Sequence, residues 1–95
     1  MKLIPYKGMV PDVLNAIFIA DSARIIGNVK LFLNSSIWFN AVLRADIAPI
    51  IIGEETNIQD NATIHVEEDI PAIVGNRVTV GHNAILHACK IDDNV

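Results

Sequence analysis

One cysteine, Cys89, is too few for an internal disulfide, and its solitary presence fits a reducing compartment. Aromatic side chains are almost as scarce. Tyr6, Phe18, Phe32, Trp38 and Phe39 are the only five in a chain whose hydrophobic content is 52%, so aliphatic residues must build the core. Positive charge is also short: seven Lys and Arg stand against eleven Asp and Glu, and the net charge is −4. With no basic patch, the charge argues against a nucleic-acid partner. No apolar run is long enough to cross a bilayer, which takes ~20 residues. The most apolar stretch, Ala41 to Ile52, is interrupted by Arg44, Asp46 and Pro49. No signal peptide is visible, since Lys2 is followed by two apolar residues and then Pro5, Tyr6, Lys7 and Gly8. A soluble protein of the cytoplasm or an organelle lumen is the default expectation. Ninety-five residues allow a single small domain.

What is present is a period. From Ile19 an aliphatic residue recurs at every sixth position: Ile25, Leu31, Ile37 and Leu43 follow. The series resumes at Ile52, Ile58 and Ile64, again at Val74, Val80 and Leu86, and closes one residue early at Ile91. Four residues after these come small or aliphatic side chains: Ala23, Val29, Ser35, Ala41, Thr56, Ala62, Val78 and Ala84. Three residues after them Asn recurs, at positions 28, 34, 40, 61, 83 and 94. Asn tolerates positive φ better than other residues with a Cβ, so it belongs at tight corners. A period of six suits neither a helix nor an isolated strand. It suits a short strand and a corner, repeated, which predicts an all-β parallel β-helix of hexapeptide repeats. A small β-sandwich would space its turns by 8–12 residues instead. Residues 1–18 carry no repeat and are expected to pack on or cap the first coil; residues 19–95 form the coils. Loops are expected to leave the solenoid at Ala48–Ile51 and Ile70–Ile73, each beside a proline.

Three hexads make one triangular coil, and the coils stack residue on residue about 4.8 Å apart. Wall one then carries Leu31, Ile52 and Val74; wall two, Ile37, Ile58 and Val80; wall three, Leu43, Ile64 and Leu86. On wall three the residues after the aliphatics are Arg44, His65 and His87, in one column. On wall two the corresponding columns are Trp38, Gln59, Gly81 and Phe39, Asp60, His82. His65 and His87 can therefore share a metal ion, whereas His82 lies around a corner of the triangle. A threefold homotrimer resolves this: wall two of one subunit would face wall three of the next, offering three neutral imidazoles and an open position for water. A lone histidine on such a wall is ordinarily a surface or core residue with a satisfied hydrogen bond. Here all three histidines fall within 23 residues, two of them in register.

Taken together, Val42-Leu43-Arg44-Ala45-Asp46, Ile52-Gly53, Thr56-Asn57-Ile58-Gln59-Asp60, His65, Val78-Thr79-Val80-Gly81-His82 and Leu86-His87-Ala88-Cys89 resemble the gamma-class carbonic anhydrases and their bacterial relatives. The likeness spans roughly residues 10–95. It implies a left-handed parallel β-helix assembled as a trimer, with Zn2+ (or Fe2+ or Co2+) held across subunit interfaces. His65 and His87 would come from one subunit and His82 from its neighbour. Gln59 would orient the reacting water, and Arg44, Asp46 and Asp60 would form an ion-pair network joining subunits. Asp60 could also support a metal-binding histidine. The implied reaction is reversible hydration of CO2 to bicarbonate.

Some residues depart from that pattern. Ala45 and Ala88 stand where the family commonly has glycine, and Ile47 where its archetype has a Glu. The family's long acidic loop, which holds a second proton-shuttle Glu, is short here at Glu67-Glu68-Asp69; Glu67 or Glu68 could substitute for that Glu, but the loop reads first as a solvated turn. The repeat is still running at Ile91–Val95, whereas the family continues through further coils and a C-terminal helix; the chain is expected to be a C-terminally shortened form or a fragment. Two other functions stay open: a trimeric metal-binding scaffold or storage protein without efficient turnover, and a CoA-dependent hexapeptide-repeat acyltransferase using one histidine as base.

Overall fold

A computed structural model describes residues 2–95, and among these every regular element is a strand. In chain order they are β1 (Lys2–Ile4), β2 (Phe18–Ile19), β3 (Arg24–Leu31), β4 (Ser36–Ile37), β5 (Val42–Ile52), β6 (Asn57–Ile58), β7 (Thr63–His65), β8 (Ala72–Val74), β9 (Thr79–Val80), β10 (Ile85–His87) and β11 (Lys90–Ile91). All the pairings between strands are parallel. Parallel pairs of such short strands cannot come from hairpins. They require the chain to travel a full circuit before it meets itself, which is a solenoid.

The three walls follow directly. Wall one stacks Leu31 on Ile52, Val74 and Ile91. Wall two stacks Ile19, Ile37, Ile58 and Val80. Wall three stacks Leu3, Ile25, Leu43, Ile64 and Leu86. Each column is the six-residue register expected from the sequence. Ile25, Leu31, Ile37, Leu43, Ile52, Ile58 and Ile64 are completely buried. Each fully buried aliphatic side chain of this size contributes about 1.5–3 kcal/mol relative to exposure. The corner residues Ala23, Val29, Ser35, Ala41, Thr56, Ala62 and Val78 are buried as well, and Ala84 packs against them partly buried. Small side chains belong there because the interior narrows toward each vertex. The two hydroxyls at these corners are satisfied: Ser35 Oγ donates to the Phe32 carbonyl at 2.8 Å, and Thr56 Oγ1 donates to the Gly75 carbonyl at 2.6 Å.

Corners are made by left-handed backbone. Between walls one and two the residues with positive φ are Asn34, Glu55, Arg77 and Asn94; between walls two and three they are Asn40, Asn61 and Asn83. Of the six periodic asparagines, Asn28 alone is not left-handed: at the third corner Gly27 takes that conformation instead, with φ 79°.

The two breaks in the period fall slightly earlier than the sequence suggested. The first is not a departing loop at Ala48–Ile51. β5 continues through it as a bulged strand: Ala45 pairs with Gly27 and Ile50 with Val29, so Asp46 to Pro49 stand opposite Asn28 alone. Backbone pairing on both flanks holds the inserted residues against the coil. The second break lies at Glu67–Ile70 rather than Ile70–Ile73. There Glu67 and Ile70 exchange backbone hydrogen bonds of 3.1 and 3.0 Å, closing a tight turn with Asp69 at φ 60°. Ala72 and Ile73 are already in β8, where they pair with Ile50 and Ile51. The N-terminal segment is also engaged: β1 extends wall three beside β3, and Asp12 bridges to Lys30.

The left-handed corners give a direct test. Glu55 occupies a left-handed corner where the same column carries Asn34 one coil before it, Arg77 one coil after and Asn94 two coils after, and it is exposed. Left-handed backbone costs residues with a Cβ about 1–2 kcal/mol, and Asn lowers that cost. Glu55→Asn should therefore raise the unfolding free energy by about 1 kcal/mol in urea titrations; an unchanged or lower midpoint would contradict the corner assignment.

Candidate metal centre

Wall three brings two histidines together. β7 and β10 pair with His87 beside His65, and β5 pairs with β7 so that Arg44 is beside His65. The outward column Arg44, His65, His87 is thus formed by backbone register alone. The two imidazole centres lie 5.1 Å apart, edge to face at 89°. Two imidazoles on one tetrahedral ion, with metal–nitrogen bonds of about 2.0–2.1 Å, place their ring centres roughly 5 Å apart. The spacing of His65 and His87 fits such an ion.

His82 is elsewhere. It follows β9 on wall two, two residues past Val80, and its side chain is 67% exposed. Among the described residues, no three His, Cys, Asp or Glu side chains gather into a group able to hold a metal ion within one chain. Around His82 lies an open groove of about 600 Å³, lined by Ser36, Trp38, Phe39, Asn57, Gln59, Asp60 and His82. The groove is edged by an aromatic cluster in which Phe18 and Trp38 are 4.7 Å apart and Phe39 packs edge-on against both at 6.2 Å. Gln59 is held by a chain of amides. Its Nε2 donates to Asn57 Oδ1 at 3.0 Å, and Asn57 Nδ2 donates to Thr79 Oγ1 at 3.0 Å. Asn57 and Gln59 are two apart on a strand, so they share the outward face.

Each histidine has a carboxylate partner. Asp46 Oδ1 is 3.0 Å from His65 Nε2, Glu67 Oε1 is 3.3 Å from His87 Nε2, and Asp60 Oδ1 is 3.8 Å from His82 Nδ1. Histidines that hold metals characteristically engage a carboxylate through the other ring nitrogen, so the donor chemistry also fits. Asp46 is the most enclosed of these acids, its side chain only 16% exposed. Burial pushes its carboxyl pKa up, but the hydrogen bond from His65, a backbone hydrogen bond and the nearby charges of His65 and Arg44 outweigh it. The net effect holds Asp46 below its usual value of 3.8. Arg44 contributes through its own bond to Asp46 Oδ2, 2.9 Å long.

The structure brings together Arg44, Asp46, His65 and His87 on wall three, and Gln59, Asp60 and His82 on wall two. It does not bring the two groups together within the chain. Arg44 and Asp46, both expected in the ion-pair network that joins subunits, are bonded to each other within the chain. Three contacts escaped the sequence reading. Asn57, itself bonded to Thr79, orients Gln59, and Glu67, considered there only as a proton shuttle, contacts His87. The even spacing of Asn57 and Gln59 was a usable signal; the position of Glu67 in an insert that breaks the repeat was another.

No protein-family model matches the chain. Among solved structures, a hexapeptide transferase family protein from Anaplasma phagocytophilum superposes with a TM-score of 0.86 at 48% identity, covering 93% of this chain and 51% of that one. The fold class is therefore the hexapeptide-repeat β-helix. Among curated proteins, a carbonic anhydrase from Geobacillus kaustophilus is 45% identical over 92 residues, 97% of this chain and 50% of that protein. Gamma carbonic anhydrase 2, mitochondrial, from Arabidopsis thaliana is 42% identical over 90 residues, 88% of this chain and 32% of that protein. The likeness to carbonic anhydrases, gamma-class ones among them, thus extends over nearly all of this chain. The chain spans about half the length of the curated relatives it matches, or less.

A pH dependence follows from Asp46. Because its folded pKa is lowered, its contribution to stability is complete above the usual carboxyl value and is lost as pH falls through the lowered one. In chelator-treated protein, Asp46→Asn should flatten the acid limb of a stability–pH profile below about pH 4. An unaltered acid limb would remove Asp46 from the account.

Proposed function

We propose that this protein is a metal-dependent carbonic anhydrase of the gamma type, hydrating CO2 reversibly at the interfaces of a homotrimer. The observation that carries the proposal is the placement of the histidines. His65 and His87 stand in register at ion-sharing distance on wall three, while His82 projects from wall two. A neighbouring subunit that set its wall two against this wall three would complete a three-imidazole set. The similarity to carbonic anhydrases over nearly the whole chain supports the same reading.

In this reading a bound Zn2+ ion (or Fe2+ or Co2+) supplies a water acidic enough to react as hydroxide near neutral pH. The protein's own residues do the rest. Asp46 holds His65 at 3.0 Å, and Asp60 stands 3.8 Å from His82. Gln59, with its Nε2 tied to Asn57, keeps its amide oxygen free to accept a hydrogen bond and orient the reacting water. Arg44 neutralises Asp46 and lies in the column that meets the partner, where it and Asp60 support assembly. The aromatic cluster of Phe18, Trp38 and Phe39 supplies apolar surface beside the groove for contact with the next subunit. The single cysteine, outside any disulfide, supports a reducing compartment such as the cytoplasm.

Two alternatives have support of their own. A trimeric scaffold or metal-storage protein would keep the histidines without efficient turnover, consistent with Ile47 occupying an exposed position beside Asp46 where an acid could move protons. An acyltransferase reading draws on the likeness to the solved hexapeptide transferase family protein from Anaplasma phagocytophilum. It predicts no metal.

Elemental analysis of the purified protein, with mass followed by light scattering, separates these. The expected result is about one zinc, iron or cobalt per chain on a trimer, lost in His82→Ala as fully as in His65→Ala, together with CO2 hydration in the wild type. Full metal retention in His82→Ala would sink the shared site. Metal without hydration would favour the scaffold, and a metal-free trimer the acyltransferase.

A further inference from the structure

The hexad period is broken twice by insertion, and both insertions fall at the same corner, between walls three and one. That corner can be turned without them: six residues separate Ile25 from Leu31, and five separate Leu86 from Ile91. The passage from Leu43 to Ile52 takes nine, and that from Ile64 to Val74 takes ten. Each long passage carries a carboxylate directed at the histidine one coil further along. Asp46, in the insert that follows Leu43, meets His65 at 3.0 Å. Glu67, in the insert that follows Ile64, meets His87 at 3.3 Å. The corner that follows His87 has no insert. Insertions that interrupt an otherwise strict repeat mark places where local regularity has yielded to another requirement.

We propose that the two corner inserts are positioning arms, and that Glu67 in particular orients His87 for metal binding. This rests on the metal-site reading above. The arm at Glu67 is rigid at its base: the reciprocal bonds between Glu67 and Ile70 close the turn, Asp69 is left-handed, and Pro71 restrains the exit. The position of His87 is set independently, by the β7–β10 register. A carboxylate only accepts hydrogen bonds, so the contact requires Nε2 of His87 to carry the hydrogen. That tautomer leaves a lone pair on Nδ1 for an ion, and the carboxylate makes the ring a stronger donor. Stability does not explain the contact, because Glu67 and His87 are 59% and 50% exposed and pairs this exposed contribute little to folding. Glu67 is a positioning residue, acting on the ion through His87.

The test measures Zn2+ affinity of the full chain by chelator competition in the wild type, Glu67→Ala and Glu67→Gln. Thermal unfolding and 1H–15N spectra of the histidine rings are recorded on the same proteins after metal removal. Glu67→Ala should weaken Zn2+ binding about 10–100-fold, leave the metal-free Tm unchanged, and convert His87 from a predominant Nε2–H tautomer to a mixture. Glu67→Gln should recover part of the affinity, since its amide oxygen still accepts that hydrogen. Equal affinity in the wild type and Glu67→Ala would overturn the positioning role and leave the metal site standing. A metal-free Tm that falls along with the affinity would assign Glu67 to the fold, and also overturn it. A wild-type chain that binds no Zn2+ would overturn the metal-site reading and this inference with it.

Discussion

Vertical register is the constraint on which everything else here depends. Apart from β3 and β5, which turn a corner, each coil hydrogen-bonds to the next through parallel strands of two or three residues, too short to be stable alone. They persist because each also stacks an aliphatic side chain on the one below, in three columns that fill the interior. Backbone ladder and side-chain column enforce each other. A slip of one residue would turn Ile37, Ile58 and Val80 outward and bring Ser36, Asn57 and Thr79 in, exchanging apolar for polar burial on a whole wall. The same registration that protects the core aligns the exterior. Arg44, His65 and His87 form a column for the same reason that Leu43, Ile64 and Leu86 do.

A surface built this way is periodic, and periodicity alone makes a poor site. Repeated positions present repeated side chains in straight lines, whereas holding an ion or orienting a water needs groups that converge. The chain reaches convergence by two departures from regularity. One is the pair of inserts at a single corner, which turn carboxylates back onto the histidine column. The other is the use of two walls: the histidines of wall three and the groove of wall two are separated by a vertex in one chain and would converge only between subunits of the proposed trimer. The groups on wall two are locked to one another through amides, from Thr79 to Asn57 to Gln59, while those on wall three are locked through charge, from Arg44 to Asp46 to His65. Each half is organised within the single chain, which would lower the ordering cost of joining them in the proposed trimer.

Most of the fold was legible in the sequence because a solenoid is nearly one-dimensional. Each residue's neighbours are those one coil away, so counting by hexads is enough to find who stacks on whom. The columns through Ile19, Ile25 and Leu31 needed nothing more. The small residues at the vertices and the left-handed asparagines at positions 34, 40, 61, 83 and 94 were visible for the same reason. The inserts were harder. Composition marks Pro49 and Pro71 as interruptions, but backbone pairing on either flank decides where the interruption lies, and it drew Ile50, Ile51, Ala72 and Ile73 into strands.

For the site, the period determined which residues share a column and which wall each occupies, since both follow from position modulo the repeat. It could not determine where side chains longer than the coil spacing would reach. That Asp46 takes up His65 and Arg44 together, that Glu67 turns to His87, and that Gln59 is tied to Asn57 depend on rotamers and on the path of two irregular inserts. Those are set by packing and local hydrogen bonding in three dimensions, where contacts are made between atoms whose separation along the chain carries no regular signal.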